Sequence, residues 1–160
     1  MAWALLGGSP HGELRAFAAS VPARDAVLVR HGRVASRFWS RLRGLLGTHE
    51  LVAGDGLLIT PCSSVHMLGM RYAIDVVYVD DQDRVVGIDP SLAPGKIGGL
   101  YRSVRYVIEL PAGTCDELGV AVGDVLVISP TLAVPAPKGR AEGEERGMEA
   151  APTRGVTRAV

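Results

Sequence analysis

Cysteine is scarce in this chain: its 160 residues include only Cys62 and Cys115. Two cysteines so far apart exclude a C-x-x-C pair, a zinc-finger spacing and a disulfide framework. One bridge between them is arithmetically allowed, but a domain of this length folds without staples, so two thiols in a reducing compartment is the simpler reading. An excess of one charge is also missing. Lysine plus arginine and aspartate plus glutamate number 17 each, which argues against a chain built mainly to hold nucleic acid or an anionic membrane. No apolar run approaches the roughly 20 residues of a membrane span. The opening Met1-Ala-Trp-Ala-Leu-Leu-Gly-Gly lacks the charged and apolar regions of a secretory signal. A cytoplasmic protein with no transmembrane segment is expected, with export as the alternative if the start site is misplaced.

What is present fits one domain. An apolar share of 48% over this length can fill a real core. Residues 1–23 show no clear period and read as an N-terminal extension, poorly ordered or with a short helix built on Leu14, Phe17 and Ala18 and limited by Pro22. Residues 24–130 read as the globular unit. Ala26 to Arg30 is a first strand ended by a His31-Gly32 turn. Phe38, Leu42, Leu45 and Leu46 recur at helical spacing between an N-cap at Ser36 and Gly47. Leu57 to Thr60 is a short buried strand, and Ala73 to Val79 with Arg84 to Ile88 form a hairpin around Asp80-Asp-Gln-Asp83. Ser91 to Leu100 is a loop, and Ser103 to Leu110 alternates as a strand. Thr114-Cys-Asp-Glu117 matches a capping box for one helical turn, and Val125 to Ile128 is a final strand. Residues 131–160, rich in Pro, Gly, Ala, Glu and Arg, are expected to be a disordered tail. The fold class is mainly β (α+β), a compact β-sandwich or barrel-like single domain with one short helix.

The chemistry concentrates between Pro61 and Asp75, a loop between two strands, where side chains are presented on a rigid frame. Cys62, His66 and Asp75 could act as nucleophile, base and orienting carboxylate, although such triads are defined by geometry rather than by closeness in sequence. Ser63, Ser64, His66, Met70 and Arg71 with loop amides suit a small polar or anionic ligand without a covalent step. The same residues could also simply fix the loop. If Asp75 points inward with Val77 and Val79, its carboxylate needs a partner, with His66, Arg71 or loop N–H groups as the candidates. Glu109 shares a strand face with Arg105, and an ion pair is its default role. His11, His31, His49 and His66 have no metal-ligand spacing, so no metal is assigned. Gly95-Lys-Ile-Gly-Gly99 resembles a phosphate loop only in composition, and Arg37, Arg41 and Arg43 read as a solvated helix face.

A resemblance joins these pieces. Arg41-Leu-Arg-Gly-Leu-Leu-Gly47, Gly56-Leu-Leu-Ile-Thr-Pro-Cys62, Val65-His-Met-Leu-Gly-Met-Arg71 and Ile74-Asp-Val-Val-Tyr-Val-Asp80 follow in order. Val107-Ile-Glu-Leu-Pro-Ala-Gly113 and Val122-Gly-Asp-Val-Leu126 come after them. This series resembles the bacterial and archaeal proteins of the domain of unknown function 192, over about Ala26 to Ile128. The resemblance implies a compact mainly-β domain with a short helix. It brings no established activity or cofactor, so no catalytic role is carried over. Met67 stands where threonine is frequent in that family, and Tyr72-Ala73 where Phe-Pro is frequent. The reading is a non-catalytic domain that binds a small polar ligand or a partner at residues 61–75, with Arg43 and Glu109 as neighbours in space. A thiol-dependent enzyme using Cys62, His66 and Asp75, and a structural protein-interaction module, are the alternatives.

Overall fold

The computed structural model describes residues 16–35 and 50–131. Within them lie strands β1 (Ala16–Val21), β2 (Ala26–Ala35), β3 (Asp55–Ile59), β4 (Ile74–Val79), β5 (Val85–Leu92), β6 (Tyr106–Pro111) and β7 (Val127–Pro130), with one α-helix, α1 (Thr114–Leu118), and a single 3-10 turn at Pro22–Arg24. The described strands make one sheet in the order β5-β4-β6-β3-β2-β1-β7. Neighbours are antiparallel except β2 and β3. A parallel pair needs a connection of roughly a dozen residues or more, and β2 and β3 are separated in the sequence by residues 36–54. The mainly-β class with a short helix is therefore the observed one.

A sheet of seven twisted strands coils, and here its two edges meet. Arg84 pairs with Val125 across the opening between β5 and β7. The Val85 N–H donates to Asp124 O at 2.8 Å and the Leu126 N–H to Asp83 O at 2.8 Å. The architecture is thus barrel-like, one continuous sheet stitched at a seam. A cluster drawn from all seven strands fills the inside, including Phe17, Leu28, Leu58, Val77, Ile108 and Ile128. A second cluster lies on the opposite, outer face of the central strands, where Leu57, Ile74, Val76, Tyr78 and Val107 are covered by Val65 and Met67. Strands β4 and β6 are consequently buried on both faces, which is why Ile74 to Val79 and Tyr106 to Leu110 read as nearly unbroken apolar runs.

Three expectations are corrected. Residues 16–21 are not part of an extension or a helix but a strand lying between β2 and β7. Phe17, Ala19 and Val21 alternate into the inner cluster, a period of two in a segment too short to show it clearly. His31-Gly32 does not end β2, which runs on to Ala35, because residues 31–35 pair with β3; the glycine instead makes room for the Phe17 ring. Finally, α1 lacks the expected side-chain cap at its first turn. Thr114 Oγ1 donates instead to Pro111 O at 2.7 Å. Residues 1–15, the expected helix Ser36–Gly47 and the tail beyond Thr131 lie outside the described residues.

Candidate functional site

Beyond β3 the chain crosses the outer face of the sheet. The Thr60 N–H donates to Ala35 O at 3.1 Å and the Cys62 N–H to Arg105 O at 3.3 Å, which aims residues 61–72 over β6 and β4. A second segment lies beside the first and fixes it. The Met67 N–H donates to Lys96 O, the Gly95 N–H to Met67 O and the Gly98 N–H to Val65 O, at 2.8–2.9 Å. His66 and Ile97 form an antiparallel bridge, and Ser64 Oγ donates to Gly98 O at 3.3 Å. The glycines of residues 95–99 serve this docking. A Cβ on Gly98 would overlap the Tyr78 hydroxyl, and one on Gly99 would crowd the Tyr101 ring.

Asp75 is fully buried and belongs to the inside of the sheet. Its Oδ1 accepts from the Ser91 and Gly113 N–H groups at 2.8 and 3.0 Å, and its Oδ2 accepts from the Cys115 N–H at 2.7 Å. Of the partners named for it in the sequence, backbone N–H groups are the ones found. The carboxylate satisfies the first turn of α1 from a distant strand, with the negative charge at the favourable end of the helix. Burial, and then the neighbouring Asp75 carboxylate, push the Cys115 thiol up, so it stays protonated. His66, by contrast, sits on the ribbon that covers the outer face, exposed to solvent. The sheet therefore stands between His66 and Asp75, and the structure does not bring this pair together. Cys62 is half-buried among the outer-face apolar groups, and its Sγ donates to Ser64 O at 3.1 Å.

A second carboxylate holds the covering loops down. Asp89 Oδ2 accepts from the Tyr78 hydroxyl at 2.7 Å and the Gly99 N–H at 2.6 Å, and Oδ1 accepts from the Tyr101 hydroxyl at 2.8 Å. The two tyrosine rings stand 4.5 Å apart between centroids. Burial, and then Asp89, push the Tyr78 hydroxyl far above the usual phenol range, so it remains a donor. Sequence reasoning missed this knot. Its one available signal was Tyr78 inside an apolar run, since a buried tyrosine hydroxyl calls for a partner.

Glu109 lies at the middle of the outer face. It is 6% exposed, and its cross-strand neighbours are Leu57 on one side and Val76 on the other, both members of the outer cluster. Among the described residues, its Oε2 is buried with no hydrogen-bond partner. The ion pair expected for Glu109 is therefore not formed at this oxygen. Burial alone pushes its carboxyl up to about 7, because a charge withdrawn from water without a partner is disfavoured.

The remaining candidates differ in burial. Met70 and Tyr72 pack against the outer cluster. Ser63 and Arg71 are exposed and Ser64 is half-buried. Arg43 lies outside the described residues. Among the described residues no group of three His, Cys, Asp or Glu side chains is placed to hold a metal ion.

The sequence and the fold place this chain among known relatives. Residues 21–128 match the model of the DUF192 family, described as an uncharacterized ACR. A UPF0127 protein of Thermococcus sibiricus is 30% identical over 113 residues, covering 66% of this chain and 72% of the relative. Another, from Thermococcus kodakarensis, is 34% identical over 110 residues, covering 63% and 68%. A crystal structure of a protein of unknown function from Novosphingobium aromaticivorans shares the fold with a TM-score of 0.63 at 19% identity, covering 76% of this chain and 91% of that one. With the Pro61-Cys62, His66, Gly69-Met70-Arg71 and Ile74-Asp75 series inside the matched region, the chain belongs to the DUF192 family of uncharacterised proteins.

Proposed function

We propose that this domain is a non-catalytic binding module. It takes a small polar ligand on the outer face of its sheet, beneath residues 61–75, with Glu109 as the buried anchor. The observation that carries the reading is Glu109 Oε2, an oxygen withdrawn from water with no partner among the described residues. Folds rarely leave such atoms bare, because each costs about 1–3 kcal/mol. A ligand group that reached Oε2 would recover that energy. Ser63, His66 and Arg71 are exposed on the loop and offer donors and acceptors for the solvent end of a ligand. An apolar site with a few polar groups is the usual character of a small-molecule pocket.

The reading as a thiol-dependent enzyme is weakened by the same geometry. Its orienting carboxylate, Asp75, is occupied by three backbone amides. Fast, His66-dependent alkylation of Cys62 in a Cys115→Ser background would revive it.

Thermal unfolding against a panel of small amines, guanidines, amino acids, polyols and hydroxy acids tests the binding reading. A true ligand at about a hundred times its Kd stabilises the fold by about 2.7 kcal/mol, a shift of several degrees for a domain of this size. The expected result is a ligand whose effect falls at least tenfold in affinity in Glu109→Gln. A ligand bound equally well by that variant would put the site elsewhere.

A further inference from the structure

The ribbon that covers the outer face carries a second signal on its solvent side. Val65 and Met67 are buried while His66 and Leu68 are exposed, so alternation turns residues 66 and 68 outward. Ile97 lies directly opposite His66 and shares its side. Leu68, Ile97 and Leu100 are 56%, 72% and 85% exposed. Aliphatic side chains this open are ordinary when scattered singly, but here three fall on two adjoining segments.

The charges of the same segments are one-sided. No Asp or Glu occurs from Pro61 to Ala73 or from Pro90 to Arg105, in a chain that has 17 of them. Arg71, Lys96 and Arg102 are all exposed there. The zero net charge of the whole chain thus conceals a basic lobe with aliphatic tips.

We infer that this ribbon docks the domain reversibly onto a membrane surface rich in anionic lipid. Leu68, Ile97 and Leu100 enter the boundary between headgroups and acyl chains, and Arg71, Lys96 and Arg102 meet headgroup phosphates. Three side chains fall far short of the ~1,000 Å² that a specific protein interface buries, which argues against a protein partner. Single-stranded nucleic acid is held by basic grooves with stacked aromatic rings, and none of these tips is aromatic. Shallow apolar insertion reinforced by Lys and Arg is the physical pattern of interfacial lipid binding. Each basic residue near an anionic leaflet strengthens it roughly fivefold. Only exposed side chains are involved, so nothing here rests on the Glu109 reading.

Co-sedimentation of the full chain with vesicles tests it, using phosphatidylcholine alone or with about a third phosphatidylglycerol. Binding is expected to the phosphatidylglycerol vesicles and to weaken at least tenfold in Lys96→Glu/Arg102→Glu. Ile97→Ser/Leu100→Ser should weaken it by a similar factor, with melting temperatures close to wild type because all four positions are exposed. As a second readout, Leu100→Trp fluorescence should shift to the blue on those vesicles. Equal sedimentation with both vesicle types, indifference to the apolar double variant, or equally tight binding to poly-glutamate or duplex DNA would overturn the lipid assignment.

Discussion

Asp75 and Glu109 occupy adjacent strands and are both buried, yet one is surrounded by donors and the other has a bare oxygen. Asp75 accepts three backbone N–H groups from two distant segments. Removing it leaves those amides unpaired inside the protein, so Asp75→Ala is expected to cost about 4 kcal/mol in urea unfolding. A cost below about 1 kcal/mol would show that water replaces the carboxylate. The sign is opposite for Glu109. Its folded carboxyl is raised from 4.5 to about 7, so the folded state holds the proton more tightly than the unfolded chain. Its contribution is fully present below about pH 4.5 and is lost as the pH rises to about 7, a change of about 3 kcal/mol. Wild-type stability measured from pH 4 to pH 8 should therefore fall relative to Glu109→Gln by about that amount. Parallel pH profiles for the two proteins would contradict the buried, unpartnered carboxyl.

At the scale of elements, what could be read from sequence was whatever depended on near neighbours. The β4–β5 hairpin announced itself through Asp80 to Asp83, and the brief helix α1 through its Thr114-Cys-Asp-Glu117 pattern. What escaped depended on distant partners. Strand β1 looked like part of an extension because Phe17, Ala19 and Val21 gain meaning only beside β2 and β7. The start of α1 looked like a local capping box, but the carboxylate that serves its amides comes from β4. The loop Ser91–Leu100 gave no hint that it would pair with residues 64–67, since that ribbon joins two segments far apart in the chain. A packing test belongs at this scale. A Cβ on Gly87 would overlap the Tyr101 ring, and Tyr101 helps to hold the ribbon through Asp89. Gly87→Ala is expected to cost about 2 kcal/mol and to speed amide exchange in residues 95–99 before the β4–β6 core. Unchanged exchange there would show that the ribbon is held without Tyr101.

Across the whole molecule, the fold class was legible and the surroundings of the candidate site only in part. The density of polar residues pointed to 61–75, and the structure shows that segment as a cover on the outer face of the sheet. The sequence reading gave Glu109 an ion pair, because nothing local to Val107-Ile-Glu-Leu110 shows that both strand faces are buried. Once they are, the carboxyl stands out as the element of the core that works against stability. On the binding reading proposed above, such a group is kept because a bound molecule makes use of it, at a cost to the unliganded fold. The decisive measurement is the unfolding free energy of ligand-free wild type and Glu109→Met at pH 8, by urea titration. If Glu109 is kept for binding, the apolar variant is more stable than wild type by about 2 kcal/mol or more. If Glu109 is a structural residue with partners in the folded core, the variant is instead less stable, and the binding site proposed around it is wrong.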